Sequence, residues 1–124
     1  MRMKGTARET KEYTIDAEGK SLGRTASQAA SILMGKNSPS FARNLVPSCA
    51  VHVVNASKMK ITQKKLHTKV YTRYSGYPGG LKTFSMKKIA SDKGYRELFR
   101  RAVWRMLPPN KLRRVMIKNL IVTE

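Results

Sequence analysis

The sequence predicts an α/β domain built on parallel strands, and three stretches predict it. Residues 12–33 read as a strand, a turn and a helix with an alanine-rich packing face. Residues 50–54 are β-rich and apolar on both alternating faces apart from one histidine, the pattern of a buried parallel strand. The last third is helical and closes on the apolar triplet Leu120-Ile121-Val122. At 124 residues and 40 % hydrophobic content, the chain has one domain's length and too much apolar content for a disordered basic tail. At this size about two-thirds of the unfolded surface can be buried.

Residues 1–11 are polar, carry Arg2, Lys4, Arg8 and Lys11, and have almost nothing to bury, which predicts a flexible basic extension ahead of a single domain over 12–124. Glu9 and Glu12 argue against a mitochondrial presequence. Glu12-Tyr13-Thr14-Ile15 reads as a short strand ended by turn chemistry from Asp16 to Lys20. Ser21 can cap the helix that follows, Leu22, Ala26, Ala29, Ala30 and Leu33 recur at helical spacing, and Gly35 supplies a left-handed stop. Residues 36–48, with Pro39 and Pro47, read as an irregular crossing segment. Ala50-Val51-His52-Val53-Val54 is the buried strand, with Asn55 as its stop. Met59 and Ile61 alternate with Lys58, Lys60 and Thr62, predicting a short half-exposed strand. From Tyr95 to Met106, Tyr95, Leu98, Phe99, Ala102, Val103 and Met106 share one side of a helical wheel and Arg96, Arg100, Arg101 and Arg105 the other. Pro108-Pro109 ends that helix, Asn110 can cap another through Leu112, Val115 and Met116, and Leu120-Ile121-Val122 is the last strand.

The charge narrows the partner. There are 26 Lys and Arg against 7 Asp and Glu, a formal charge of +19, and residues 19–91 contain thirteen of those cations and no acid. Basic residues are interleaved with apolar ones along almost every segment, so the folded surface itself is positive and repels itself unless a polyanion covers it. Nucleic acid is the default partner. An anionic membrane is the distant alternative, because it usually recruits one basic amphipathic helix or cluster. The longest apolar runs fall far short of the roughly 18 residues that span a bilayer, and no apolar segment follows Met1, so the chain reads as soluble and not secreted.

Catalytic chemistry finds little footing. Gly19-Lys20-Ser21 resembles the end of a phosphate-binding loop, but that motif needs a glycine where Thr14 stands inside a strand. A single cysteine, Cys49, excludes an internal disulfide and leaves too few thiolates for a zinc finger. Residues three apart on a strand point to opposite faces, which argues against a nucleophilic pair of Cys49 and His52. His67 lies in a different element from His52. Asp16 and Glu18 flank a turn, where carboxylates serve local hydrogen bonds. No enzyme activity, metal, cofactor or small-molecule substrate is expected.

The stretch from Lys64 to Lys82 combines what RNA contact needs. Its Lys and Arg can neutralise phosphates, its tyrosines can stack on unpaired bases, and Gly76, Gly79 and Gly80 let backbone N–H groups approach a phosphate. The plainer reading is a hairpin or turn whose tyrosines are core and whose glycines only permit positive φ. Trp104 lies among the arginines of its helix, either packed on a neighbouring element or exposed in a cationic face.

Five groups of residues in register, spread from about residue 13 to 122, resemble the bacterial form of the large-subunit ribosomal protein thirteen family. They are Tyr13 to Arg24 with Ala26; Gly35-Lys36; Val54-Asn55-Ala56; Lys69-Val70-Tyr71 with Ser75-Gly76-Tyr77-Pro78-Gly79-Gly80-Leu81-Lys82; and Met106-Leu107-Pro108. The resemblance implies a three-layer α/β/α fold around a small, mainly parallel sheet of about four strands. It further implies a non-enzymatic structural protein of the large ribosomal subunit that binds large-subunit ribosomal RNA beside neighbouring ribosomal proteins and supports early assembly and translation. Its implied location is the ribosome, in the bacterial cytoplasm or an organelle matrix. Carried over by position, the RNA contacts would be Arg24 and Lys36 around the first helix and Lys64, Lys65, Lys69, Arg73, Tyr74, Gly76, Tyr77, Gly79, Gly80 and Lys82 in the central stretch. Arg105, Lys111, Arg113 and Arg114 would complete them near the Met-Leu-Pro motif. The sequence departs from the family at Gln63, Arg105 and Arg113, where glycine is usual, which puts the local backbone path in question. The family also commonly continues past the last strand with a tail absent from this sequence. The rival reading is a stand-alone basic RNA- or DNA-binding protein of the nucleoid or RNA-chaperone kind.

Overall fold

A computed structural model describes residues 10–39 and 41–124. Most of the expected basic extension, residues 1–9, therefore lies outside the described residues. Strand β1 (Lys11–Asp16) runs parallel to β2 (Cys49–Val54), and β2 runs parallel to β5 (Leu120–Val122), giving a three-stranded sheet in the order β1-β2-β5. The protein is thus mixed α/β on a small parallel sheet. The sheet holds three strands where about four were expected, because β3 (Val70–Tyr74) and β4 (Leu81–Ser85) leave it to form a separate antiparallel hairpin.

Register puts Ile15, Val53 and Val122 abreast, all buried, with Val51 completing the apolar face. Thr14, His52 and Ile121 stand abreast on the other face, which is more open: Thr14 is exposed, His52 half-buried and Ile121 46 % exposed. A central strand apolar on both sides therefore has only one deeply buried side.

Helix α1 (Leu22–Met34) buries the expected Leu22, Ala26, Ala29, Ala30 and Leu33 and packs against α4 (Tyr95–Met106) and β2. Alanines allow that close approach, and Leu98, Phe99 and Val103 fill the space from α4. Met106 is 41 % exposed, so Val103 is the last buried residue on the apolar side of α4. Ser21 precedes α1 without a side-chain capping bond; its carbonyl instead accepts from the N–H and the hydroxyl of the buried Thr25. Gly35 closes the helix in the left-handed region at φ 84°.

Residues 56–68 depart from the expected strand. Ala56–Lys58 is one turn of 3-10 helix, a single parallel bridge joins Lys60 to Ser21, and a short helix α2 (Gln63–Thr68) follows, capped by the Thr62 hydroxyl accepting from the Lys65 N–H. Alternation of Met59 and Ile61 with lysines arises because Met59 tucks into the core beside the turn while its charged neighbours face solvent. Helix α3 (Met86–Lys93), also unanticipated, starts directly from β4 with Ser85 as its cap. Asn110 does cap, accepting from the Arg113 N–H at 3.1 Å ahead of α5 (Arg113–Ile117).

Candidate nucleic-acid interface

Tyr71 anchors one group of cations. Its ring is buried in the core from β3, and the Arg105 and Arg101 guanidiniums of α4 lie 5.3 and 5.4 Å from the ring centroid, with the Lys69 ammonium at 5.8 Å. Burial pushes the Tyr71 hydroxyl above its usual value of 10, against the opposing pull of Arg105 and Arg101, so the ring stays neutral and the site's net charge remains positive. Lys65, Lys69 and Arg105 surround a hollow of about 180 Å³ floored by Tyr71 and Met86. Three of the expected contact residues, drawn from α2, its C-cap and α4, therefore meet at one place.

The hairpin carries the next group. Arg73 and Lys82 are directly opposite in the β3–β4 register. Like charges so placed repel, and they are tolerated only where solvent or a counter-anion screens them. Arg73 also shares a hollow of about 120 Å³ with Lys88, Lys93 and Arg101, where Asp92 is the acid among the lining residues. The tip beyond holds Tyr74 and Tyr77, 66 % and 75 % exposed, so of the three tyrosines only Tyr71 is core. Gly76 and Gly79 have positive φ of 87° and 73°. A Cβ at Gly80 would collide with the Ser75 side chain, and the Gly80 N–H already donates to the Tyr77 carbonyl at 3.0 Å. Loop closure by itself thus requires these glycines, and the Gly80 N–H is spoken for within the turn.

The remaining expected residues are dispersed. Arg24 is exposed on α1, Lys64 on α2, and Lys111 and Arg114 around α5. Lys36 lines a groove of about 350 Å³ with Arg43, Pro108 and Asn110. Arg113 is half-buried, its guanidinium stacked 4.1 Å from the Trp104 ring centroid, and its Nε is buried without a hydrogen-bond partner among the described residues. Arg43, Lys88, Lys93 and Arg101 join these cationic groups without having been singled out. Arg101 was legible as part of the basic half of α4, whereas Lys88 and Lys93 needed α3 to be recognised.

Asp92 in the hairpin hollow and Glu97 on Arg101 reach these cations, while Asp16, Glu18 and Glu124 make contacts elsewhere. Glu97 pairs with Arg101 at 3.0 Å, Glu18 approaches Lys58 at 4.0 Å, and Glu124 accepts from the Arg96 N–H at 3.2 Å. Asp16 accepts from the Glu18 N–H at 2.9 Å and the Asn55 side-chain amide at 3.1 Å, and those bonds, with Lys20 and Lys58, hold its carboxyl below the usual 3.8. Cys49 is buried with its thiol pushed upward by burial and donating to the Ile32 carbonyl at 3.4 Å, on the face opposite His52. No cluster of three or more metal-ligating side chains occurs among the described residues, and none of their helices is long and apolar enough to cross a membrane.

Residues 10–124 match the family model for ribosomal protein L13. The chain belongs to the ribosomal protein L13 family. It is 49 % identical over 114 residues to the large ribosomal subunit protein uL13 of Caldanaerobacter subterraneus subsp. tengcongensis, covering 92 % of this chain and 79 % of that protein. The uL13 proteins of Thermus thermophilus and Clostridium novyi are each 48 % identical, over 108 and 112 residues, covering 87 % and 90 % of this chain and 76 % and 77 % of theirs. The three departures from the L13 pattern fall where no glycine is needed. Gln63 and Arg113 open α2 and α5, Arg105 lies within α4, and among the described residues Asn55 alone has a positive φ without being glycine. Their side chains are accommodated on ordinary helical backbone.

Proposed function

We propose that this chain is a non-enzymatic structural constituent of the large ribosomal subunit, acting in the ribosome by binding large-subunit ribosomal RNA next to other ribosomal proteins and supporting early assembly and translation. The observation that carries this reading is the opposition of Arg73 and Lys82 on a hairpin whose tip exposes two tyrosines. A fold gains nothing from facing two cations across a strand pair, whereas a phosphate between them converts repulsion into attraction, and tyrosines beside it can stack on unpaired bases.

The contact set is Lys64, Lys65, Lys69, Arg73, Tyr74, Tyr77, Lys82 and Arg105 as the principal surface, with Gly76, Gly79 and Gly80 shaping the loop that presents the tyrosines and Arg24, Lys36, Lys111, Arg113 and Arg114 extending it. The RNA-binding domain, expected over 12–124, takes in Lys11 as well, which pairs with Cys49 at the start of β1, and the residues before it are the proposed basic extension. The three-layer α/β/α order is part of the proposal: one helical layer covers Ile15, Val51 and Val53, and the face bearing Thr14, His52 and Ile121 would take the other.

Co-sedimentation with ribosomes tests it. The chain is expected to stay with large subunits through a high-salt wash, because its contacts are embedded in folded RNA. A stand-alone binder would elute, since each neutralised phosphate contributes roughly −0.7 to −0.9 to the slope of log K against log salt. Recovery only in ribosome-free fractions would refute the proposal.

A further inference from the structure

We infer that the hollow floored by Tyr71 holds one unpaired nucleotide extruded from the bound RNA, its base inside and its phosphates on the cationic rim. This rests on the RNA-binding reading above and assigns that hollow a ligand class. Size is the first argument. About 180 Å³ is well below the roughly 300–1,000 Å³ of sites for drug-sized ligands, and suits a single planar ring system.

Chemistry is the second argument. The floor is Tyr71 and Met86, both buried in the core, so the hollow is fixed by the fold. Its walls are Gly23 of α1 and Ala102 of α4, and its rim carries Lys65, Lys69 and Arg105 with no acid among the described residues that line it. An intact duplex presents phosphates but no base to such a recess, whereas a splayed-out nucleotide fills the apolar interior and meets the cations together.

Gly23 is the third and independent argument. Glycine weakens a helix relative to alanine, and it is normally kept where a neighbour approaches closely. Among the described residues a Cβ built on Gly23 meets nothing within 4 Å, so none of them demands the glycine. The space it leaves opens on the hollow.

The test is chemical probing of base reactivity along large-subunit ribosomal RNA, with binding measured alongside for the full chain, Gly23→Ala and Gly23→Leu. All rim cations are retained in both variants. The wild type should change the reactivity of one unpaired nucleotide, and Gly23→Ala, whose Cβ enters the space the glycine leaves, should change it less. Gly23→Leu, by filling the hollow, should return that nucleotide to its free-RNA reactivity and weaken binding about tenfold, the scale of one stacked base. If thermal melting shows Gly23→Leu to be unfolded, Ala102→Met closes the same hollow from α4 and decides. A filled hollow that leaves affinity and every reactivity as in the wild type overturns the inference. Failure of the wild type to prefer ribosomal RNA over an unrelated RNA of equal length would instead bring down the underlying reading.

Discussion

The Arg113 guanidinium carbon lies 4.1 Å from the centroid of the Trp104 ring, a stack that ties α5 to α4. It settles the two readings of Trp104: the indole packs against a neighbouring element and, through that packing, also belongs to a cationic face. The buried Nε without a partner sets a cost of roughly 1–3 kcal/mol against a cation–π gain of about 0.5–2 kcal/mol, so the stack orients the guanidinium more than it stabilises the domain.

A double-mutant cycle on Arg113→Ala and Trp104→Leu measures that stack. Urea unfolding should give a coupling energy of about 0.5–1 kcal/mol, with Trp104→Leu the more damaging single change because the indole also packs on the core. Strictly additive losses would show that the two groups are neighbours without interaction.

Replacing Arg73, Tyr74 and Lys82 together by alanine separates contact from core. All three are exposed, so folding stability should change by about 1 kcal/mol or less. The salt slope of RNA binding should fall by about 1.4–1.8 if each cation neutralises one phosphate. Tyr71→Ala, by contrast, removes a buried aromatic and should cost about 3–5 kcal/mol. Loss of cooperative melting in the triple variant would mean that the hairpin tip belongs to the core.

Asp16 makes the acid limb of stability predictable. Its carboxyl is held below 3.8 by the Glu18 N–H first and then the Asn55 amide, so in acid the unfolded chain takes up the proton before the folded one does. Stability from this group is fully present above about pH 4 and is lost as pH falls through the depressed folded value. Asp16→Asn retains an acceptor oxygen without titrating, and thermal melts between pH 2 and 6 should lose steepness on the acid side. An unchanged acid limb would contradict the assignment.

What was legible in the sequence follows the strength of each apolar pattern. Helices α1 and α4 and the strands around Ile15 and Val53 announce themselves because a full face is buried and its spacing repeats. Helix α2 buries no residue completely and α3 only Met86 and Ile89, so neither supplies enough repeats to outweigh its lysines. At Met59 and Ile61 a turn and a single bridge imitated strand alternation. The Lys, Tyr and Gly composition of residues 64–82 pointed to a contact surface, but only tertiary packing could bring Lys65 and Lys69 up to Arg105, some 36 residues further along.

In the proposed role this cationic surface lies on large-subunit ribosomal RNA. A crosslink map between the full chain and that RNA tests it most directly. Crosslinks should concentrate at Lys65, Lys69, Arg73, Lys82 and Arg105 and be sparse on the sheet face bearing Thr14 and Ile121. Crosslinks confined to that sheet face, or none to large-subunit RNA, would contradict the account.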